Sequence, residues 1–170
     1  MIAESSFVMR IRGSRAACKE FASQISTTEE DCVIYNEQGS DDDLMCETDG
    51  WCEGTFEESN SYKSADIAAD LNIEFEVFAY DPSEPEWIEH FHFKDGKYII
   101  RDSLEFELFI DPDIEPDEIA EEYENIEKYQ PSDEDENVYV IKDDFKLWDY
   151  NEDTGEFTFH FTMSFDDLKK

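Results

Sequence analysis

Residues Ser5–Ser26 read SSFVMRIRGSRAACKEFASQIS, and their period changes midway. Over Ser5–Arg12 the pattern alternates: Phe7, Met9 and Ile11 point one way, Val8, Arg10 and Arg12 the other, which predicts a half-buried strand. Ser14 is a good N-cap, and Ala16, Ala17, Phe21, Ala22 and Ile25 then place an apolar stripe on a helix running to about Ser26. Working outward, Cys32–Tyr35 reads as a second strand, Asn36–Asp43 as a turn-rich acidic link into Leu44–Cys46, and Trp51–Glu58 as a further strand or bulged edge. Ser64–Leu71 is a short helix capped by Ser64. It passes straight into Asn72–Tyr80, where Ile73, Phe75 and Val77 alternate with Glu74, Glu76 and Phe78. The order β-α-β-β-α-β predicts an α+β fold, a ferredoxin-like split βαβ sandwich.

Beyond it, Glu86–Lys94 and Lys97–Ile110 flank Asp95-Gly96, a strong hairpin signal. Pro116 opens an acidic helix over Asp117–Tyr129, with Ile119, Tyr123 and Ile126 as its inner face. Pro131–Glu136 is an exposed acidic loop and Asn137–Ile141 a strand. Phe145–Tyr150 and Glu156–Met163 form a hairpin around Asn151–Gly155. These elements predict a ferredoxin-like domain over 1–110. They also predict an extension over 111–170, an acidic helix and hairpin packed on the same sheet.

The stretch Ile73–Lys97 (IEFEVFAYDPSEPEWIEHFHFKDGK) carries an acidic strand after the second helix, the Glu89-His90 pair and the Asp95-Gly96-Lys97 turn. With Trp51 and the helix at Ser64–Leu71 it resembles the YubB-like ferredoxin-like domain of plasmid, phage and conjugative-element proteins, over roughly residues 5–100. Asp81–Glu86 (DPSEPE) departs from the glycine-containing turn of that family. The resemblance implies a ferredoxin-like fold and a mobile-element origin; it implies no reaction and carries over no catalytic residue.

The 170 residues include 47 Asp+Glu against 13 Lys+Arg, a formal net charge of −34. Such a chain is repelled by nucleic acid, whose phosphates need clustered Lys and Arg. Its apolar runs are a few residues long where a membrane span needs roughly 20. Met1–Ser5 lacks the basic flank and apolar stretch of a signal peptide, so cytosolic residence is expected. Disorder is not: apolar residues make up 39% and aromatics 15%, enough to build a core. A compact body this acidic nevertheless repels itself, so something other than folding accounts for the acid excess. Cys18, Cys32, Cys46 and Cys52 contain no C-x-x-C pair and read as reduced thiols rather than zinc ligands.

The carboxylates themselves are candidates for counterfeit phosphates. Duplex DNA carries one charge per about 1.7 Å of axis. Carboxylates at i, i+2 on a strand lie roughly 6.5–7 Å apart, which fits Glu74/Glu76 and Glu105/Glu107. Helical neighbours at i, i+3 or i+4 lie about 5–6 Å apart, giving the rows Asp117/Glu121/Glu124 and Glu118/Glu122. Of these, Glu105, Glu107, Asp117, Glu118, Glu121, Glu122 and Glu124, with Asp133, Glu134, Asp135 and Glu136, make the predicted partner-binding surface; Trp148 and Tyr150 either add contact area or, more commonly for such residues, pack in the core. The expected function is inhibition of a host defence nuclease complex, anti-CRISPR or anti-restriction. The basic nucleic-acid site of a Cas or restriction complex would be the partner, with no direct nucleic-acid binding, no cofactor and no catalysis. The alternatives are a plain acidic binding module and a metal enzyme. The metal reading rests on His90 and His92, i, i+2 on one strand face, with His160 the candidate third ligand; two exposed strand histidines are the commoner explanation. Asp149-x-Asn151-x-Asp153 imitates the opening of a calcium loop, but its glycine falls one position late and His160 stands where a bidentate Glu is needed. Arg10, Arg12, Arg15 and Lys19 are the basic patch, read as internal balance or, alternatively, as a self-association surface.

Overall fold

A computed structural model describes residues 4–27, 29–82, 86–145, 148–151 and 153–159. The chain is mixed α+β, and its contacts divide it into two units, one built on Met1–Ser103 and one on Leu104–Thr162.

The first unit is a six-stranded sheet with helices on one face. Its strands are β1 (Glu4–Gly13), β2 (Tyr35–Gly39), β3 (Leu44–Glu53), β4 (Glu74–Tyr80), β5 (Trp87–Lys94) and β6 (Lys97–Glu105), in the spatial order β2-β3-β1-β4-β5-β6. The β2–β3, β3–β1, β1–β4 and β4–β5 pairings are all antiparallel. The helices are α1 (Arg15–Ile25), α2 (Phe56–Ser59) and α3 (Ser61–Leu71). The alternation read in β1 is the alternation observed: Phe7, Met9 and Ile11 are buried, while Val8, Arg10 and Arg12 are half-buried. Ser14 caps α1, its side chain accepting from the Ala17 N–H.

Aromatic rings knit the core. Phe21 of α1 stacks on Phe75 of β4 at 5.4 Å, and Phe75 stacks on Phe93 of β5 at 5.3 Å. Tyr98 of β6 lies 5.3 Å from Phe93 and 5.8 Å from Phe91. Phe56 of α2 packs between Phe7 and Phe91, at 5.5 and 5.6 Å. Each such buried ring removes roughly 150–250 Å² from water, which is how the unit folds against its charge.

Several local expectations change. The strand placed at Cys32–Tyr35 is shifted: Glu29–Cys32 forms a 3-10 turn and the pairing segment is β2. Its irregular register against β3 and the positive φ of Asn36 (53°) account for the weak sequence signal. The strand read at Trp51–Glu58 is the end of β3 followed by α2. Gly54 turns the chain at φ +69°, and Thr55 then caps α2 by accepting from the Glu58 N–H. Helix α3 starts at Ser61, so Ser64 lies inside it, fully buried, and does not cap it. The Asp95-Gly96 hairpin stands as read, with both residues at positive φ (52° and 80°), the signature of a two-residue I′ turn.

In the second unit β7 (Glu107–Phe109), β8 (Tyr129–Pro131) and β9 (Val138–Ile141) form a sheet of order β7-β9-β8, with α4 (Ile119–Glu122) in the long β7–β8 connection. β10 (Trp148–Asn151) and β11 (Glu156–Phe159) form a two-stranded hairpin. These strands therefore pair in sheets of their own, of three and two strands. Among the described residues of this unit, Leu104, Ile110, Tyr129 and Val138 are the buried apolar ones, and the Tyr129 hydroxyl donates to the Glu105 carbonyl at 2.9 Å. Among the described residues no helix is long and apolar enough to cross a membrane.

Candidate functional site

Every residue of the predicted acidic surface lies in the second unit, and every one is exposed: Glu105, Glu107, Asp117, Glu118, Glu121, Glu122, Glu124, Asp133, Glu134, Asp135 and Glu136. Their arrangement differs from the two regular rows expected. The helix read over Asp117–Tyr129 is a single turn, α4, followed by extended backbone at Tyr123 (φ −118°, ψ 117°) and a left-handed Asn125 (φ 59°). Glu118 is the N-cap of α4, Glu121 and Glu122 lie in it, and Asp117 and Glu124 flank it. The row Asp117/Glu121/Glu124 therefore does not run along one helix. The reason is electrostatic and tertiary: like charges at i, i+4 oppose helix formation, and the Tyr123 hydroxyl is held away by accepting from the Asp111 N–H at 2.9 Å.

Glu105 and Glu107 are not i, i+2 on one strand either. Glu105 ends β6, Phe106 is a bend, and Glu107 begins β7, opposite Val140. The Asp133–Glu136 loop is the tip between β8 and β9. Its backbone is fixed, with Ser132 N–H donating to the Val138 carbonyl at 2.8 Å and Val138 N–H to the Asp135 carbonyl at 3.1 Å. Asp135 also accepts from the Asn137 N–H through Oδ1 at 2.9 Å. Four consecutive carboxylates are thus presented on an ordered turn. Lys128 and Lys142, the unit's described lysines, are half-buried.

The pair Glu74/Glu76 is corrected outright: Glu76 is 0% exposed and cannot meet a partner. The sheet brings it to the histidines. His92 Nδ1 lies 3.2 Å from Glu76 Oε2, His92 Nε2 lies 3.4 Å from Glu74 Oε2, and His90 Nε2 lies 3.6 Å from Glu76 Oε2. The two histidines expected at the surface are instead half-buried (His90) and buried (His92), each facing β4 carboxylates across the β4–β5 pairing. A charged residue hidden at an alternating strand position gives no sequence signal, because only the register reveals its neighbour. Among the described residues no group of three or more His, Cys, Asp or Glu side chains is arranged to hold a metal ion. His160, proposed as a third ligand, lies outside the described residues; of Trp148 and Tyr150 only the backbone pairing in β10 is described. In the calcium-like stretch Asn151 serves the hairpin turn, its Oδ1 accepting from the Asp153 and Thr154 N–H groups at 3.0 and 3.3 Å.

The three arginines of the basic patch are engaged within their own unit, while Lys19 is exposed. Arg10 meets Glu47 at 2.7 Å, Arg12 meets Asp43 at 3.0 Å, and Arg15 meets Glu37 at 2.6 Å and Asp41 at 2.7 Å. Arg101 meets Glu57 at 2.7 Å and lies 5.6 Å from the Tyr62 ring centre. These pairs hold Asp43 below the usual carboxylate range and Arg15 above the usual guanidinium range. Glu89, noted in the sequence only as half of the Glu89-His90 pair, has a structural part to play. Its carboxylate is 1% exposed and accepts from the Phe56 N–H at 2.8 Å and the Glu57 N–H at 3.1 Å, tying α2 to β5. Burial pushes its pKa up, against the pull of those two donors. That role is not legible in the sequence, where Glu89 is one acid among 47.

No family model, no curated protein and no solved structure matches the chain.

Proposed function

We propose that the protein is an acidic nucleic-acid mimic of a phage or mobile element, one that inhibits a host defence nuclease complex by occupying its basic DNA- or RNA-binding site. A Cas or restriction complex is the partner, and the chain performs no catalysis of its own. The single observation that supports this reading is the dense exposed carboxylate of the second unit; the first unit exposes acids too, Glu20, Asp42, Asp49, Asp66 and Asp70 among them. The acids of the second unit face solvent, with Lys128 and Lys142 half-buried beside them, whereas Arg10, Arg12, Arg15 and Arg101 are held by carboxylates of the first unit. A surface of that kind attracts Arg- and Lys-lined channels and excludes the substrate that normally fills them. The spacing argument is narrower than the sequence suggested. It now rests on the Asp133–Glu136 tip and on the short turn Glu118–Glu122, not on long rows. The first unit supports a ferredoxin-like fold, since its first four strands lie in the order β2-β3-β1-β4 with α1 and α3 as the two crossovers. A mobile-element origin rests on the resemblance of Ile73–Lys97 alone.

The test is competition. Purified Cas and restriction complexes are loaded with labelled nucleic acid, and displacement by the protein is followed at rising salt. The reading requires displacement at 50 mM salt that weakens steeply by 300 mM, because exposed charges are screened beyond roughly 10 Å at 0.1 M. Replacing Asp133, Glu134, Asp135 and Glu136 together by Asn and Gln should weaken displacement at least tenfold. A complex indifferent to salt and to that replacement removes the mimicry.

A further inference from the structure

Given the mimicry proposed above, on which this rests, we propose that the second unit imitates a single nucleic-acid strand and not a duplex. The partner site it fits is a groove that combines lysines and arginines with aromatic stacking rings. Phe106 and Phe109 carry the inference. They are 37% and 69% exposed, in the stretch Glu105-Phe106-Glu107-Leu108-Phe109, whose two glutamates are exposed as well. Phe109 is not a loop residue turned outward by chance. It ends β7, opposite Val138 of β9. The backbone just beyond it is pinned: the Ile110 N–H donates to the Asn137 carbonyl at 2.8 Å, Ile110 is buried, and the Asp111 N–H donates to the Tyr123 hydroxyl at 2.9 Å. Val138 is also the residue that closes the acidic tip, through Ser132 and Asp135. Directly paired strand residues stand about 4.5–5.5 Å apart at Cβ, so Phe109 sits beside the base of the Asp133–Glu136 turn. Glu107, paired with Val140, lies two positions back on the same face, roughly 6.5–7 Å away. The exposed ring is thus flanked by carboxylates on both sides.

Anions and open rings together distinguish one nucleic-acid form from the other. A duplex hides its base faces in the stack and presents phosphates and groove edges. A single strand presents phosphates and open base faces in turn. Proteins that hold single strands answer with a positive groove that follows the backbone and with aromatic side chains on which bases stack, a contact indifferent to sequence because every base has a π-face. The stretch Glu105–Phe109 offers both groups in that order: anion, ring, anion, then a second ring after Leu108. A duplex mimic would use the carboxylates and gain nothing from the rings, whose exposure forgoes the stabilisation that burial gives a Phe. Charge complementarity selects a basic groove, and the rings select one lined with aromatic or guanidinium planes over a bare cationic channel. Removing one stacked ring from such a contact costs about 5- to 150-fold in affinity.

The test loads purified Cas and restriction complexes with a fluorescent single strand of about 20 nucleotides or with the matching duplex, and follows release by the full-length protein at low salt. The expected result is release of the single strand at a protein concentration about tenfold below that needed for the duplex. Phe109→Ala should raise the concentration that releases the single strand about tenfold. It should leave the melting temperature unchanged, because the ring is exposed, and the salt slope unchanged, because no charge is removed. Phe109→Tyr keeps the ring and should restore release, whereas Phe109→Leu keeps apolar area alone and should not. Equal or better release of the duplex, or Phe109→Leu releasing the single strand like wild type, overturns the single-strand inference; salt-sensitive release in either case leaves the mimicry standing. Release of neither probe overturns both.

Discussion

At the scale of single residues, Glu89 shows what a buried acid does in this protein. Its two oxygens answer the Phe56 and Glu57 N–H groups at the start of α2, donors that no earlier helical turn can satisfy. Glu89→Gln turns an amide toward one of those N–H groups, so it should destabilise the first unit by about 1–3 kcal/mol at pH 7. Its pH dependence has a definite sign. The folded-state pKa is raised above the ordinary glutamate value of 4.5 by burial. The stability linked to protonating Glu89 is therefore present below 4.5 and lost as pH rises through the folded value. Urea denaturation should show the gap between wild type and Glu89→Gln shrinking from pH 5 to pH 7.5. A gap that widens contradicts the raised pKa. The ring at Phe75, stacked between Phe21 and Phe93 and 0% exposed, belongs to the same scale. Phe75→Ala should cost about 3–5 kcal/mol, measured in the same denaturation.

At the scale of elements, agreement between local and tertiary preference decided what could be read. β1, α1, β4 and the Asp95-Gly96 hairpin were legible because period, cap and turn chemistry all point to the structure that forms. The hairpin prediction is correspondingly clean. Nothing lies within 4 Å of a Cβ added at Gly96, yet φ is +80°, so Gly96→Ala should cost about 1–2 kcal/mol through backbone strain alone. An unchanged melting temperature would show that the turn relaxes. The acidic helix was misread for the opposite reason. Its apolar stripe of Ile119, Tyr123 and Ile126 has helical spacing, but six acids between Asp117 and Glu127 repel one another. The Tyr123–Asp111 hydrogen bond and the left-handed Asn125 then settle an irregular path. The break between β6 and β7 at Phe106 likewise splits a strand whose alternation is unbroken in the sequence.

At the scale of the whole molecule, −34 of net charge sets two opposing salt responses. Raising salt screens the protein's self-repulsion and should raise its melting temperature between 50 and 500 mM NaCl. The same change should weaken a complex held by the second unit's carboxylates. Replacing Asp133–Glu136 by their amides should therefore raise stability slightly at low salt while lowering partner affinity. Thermal melts and binding isotherms on one set of samples would read both. A stability that falls with salt would show that the internal ion pairs of Arg10, Arg12 and Arg15 outweigh the repulsion.

What the sequence determined by itself was the class of fold of the first unit, the existence of an aromatic core and the sign of the surface. Periodicity and charge are local sums that need no partner to be evaluated. Which carboxylates face solvent was decided only by tertiary structure. Glu74, Glu76 and Glu89 stand at strand positions as acidic as Glu105 or Glu107. It is strand register that sets Glu76 beside His90 and His92, and the packing of α2 that turns Glu89 inward. Contact between residues far apart in the chain follows from how strands pair and helices settle, which no window of sequence contains.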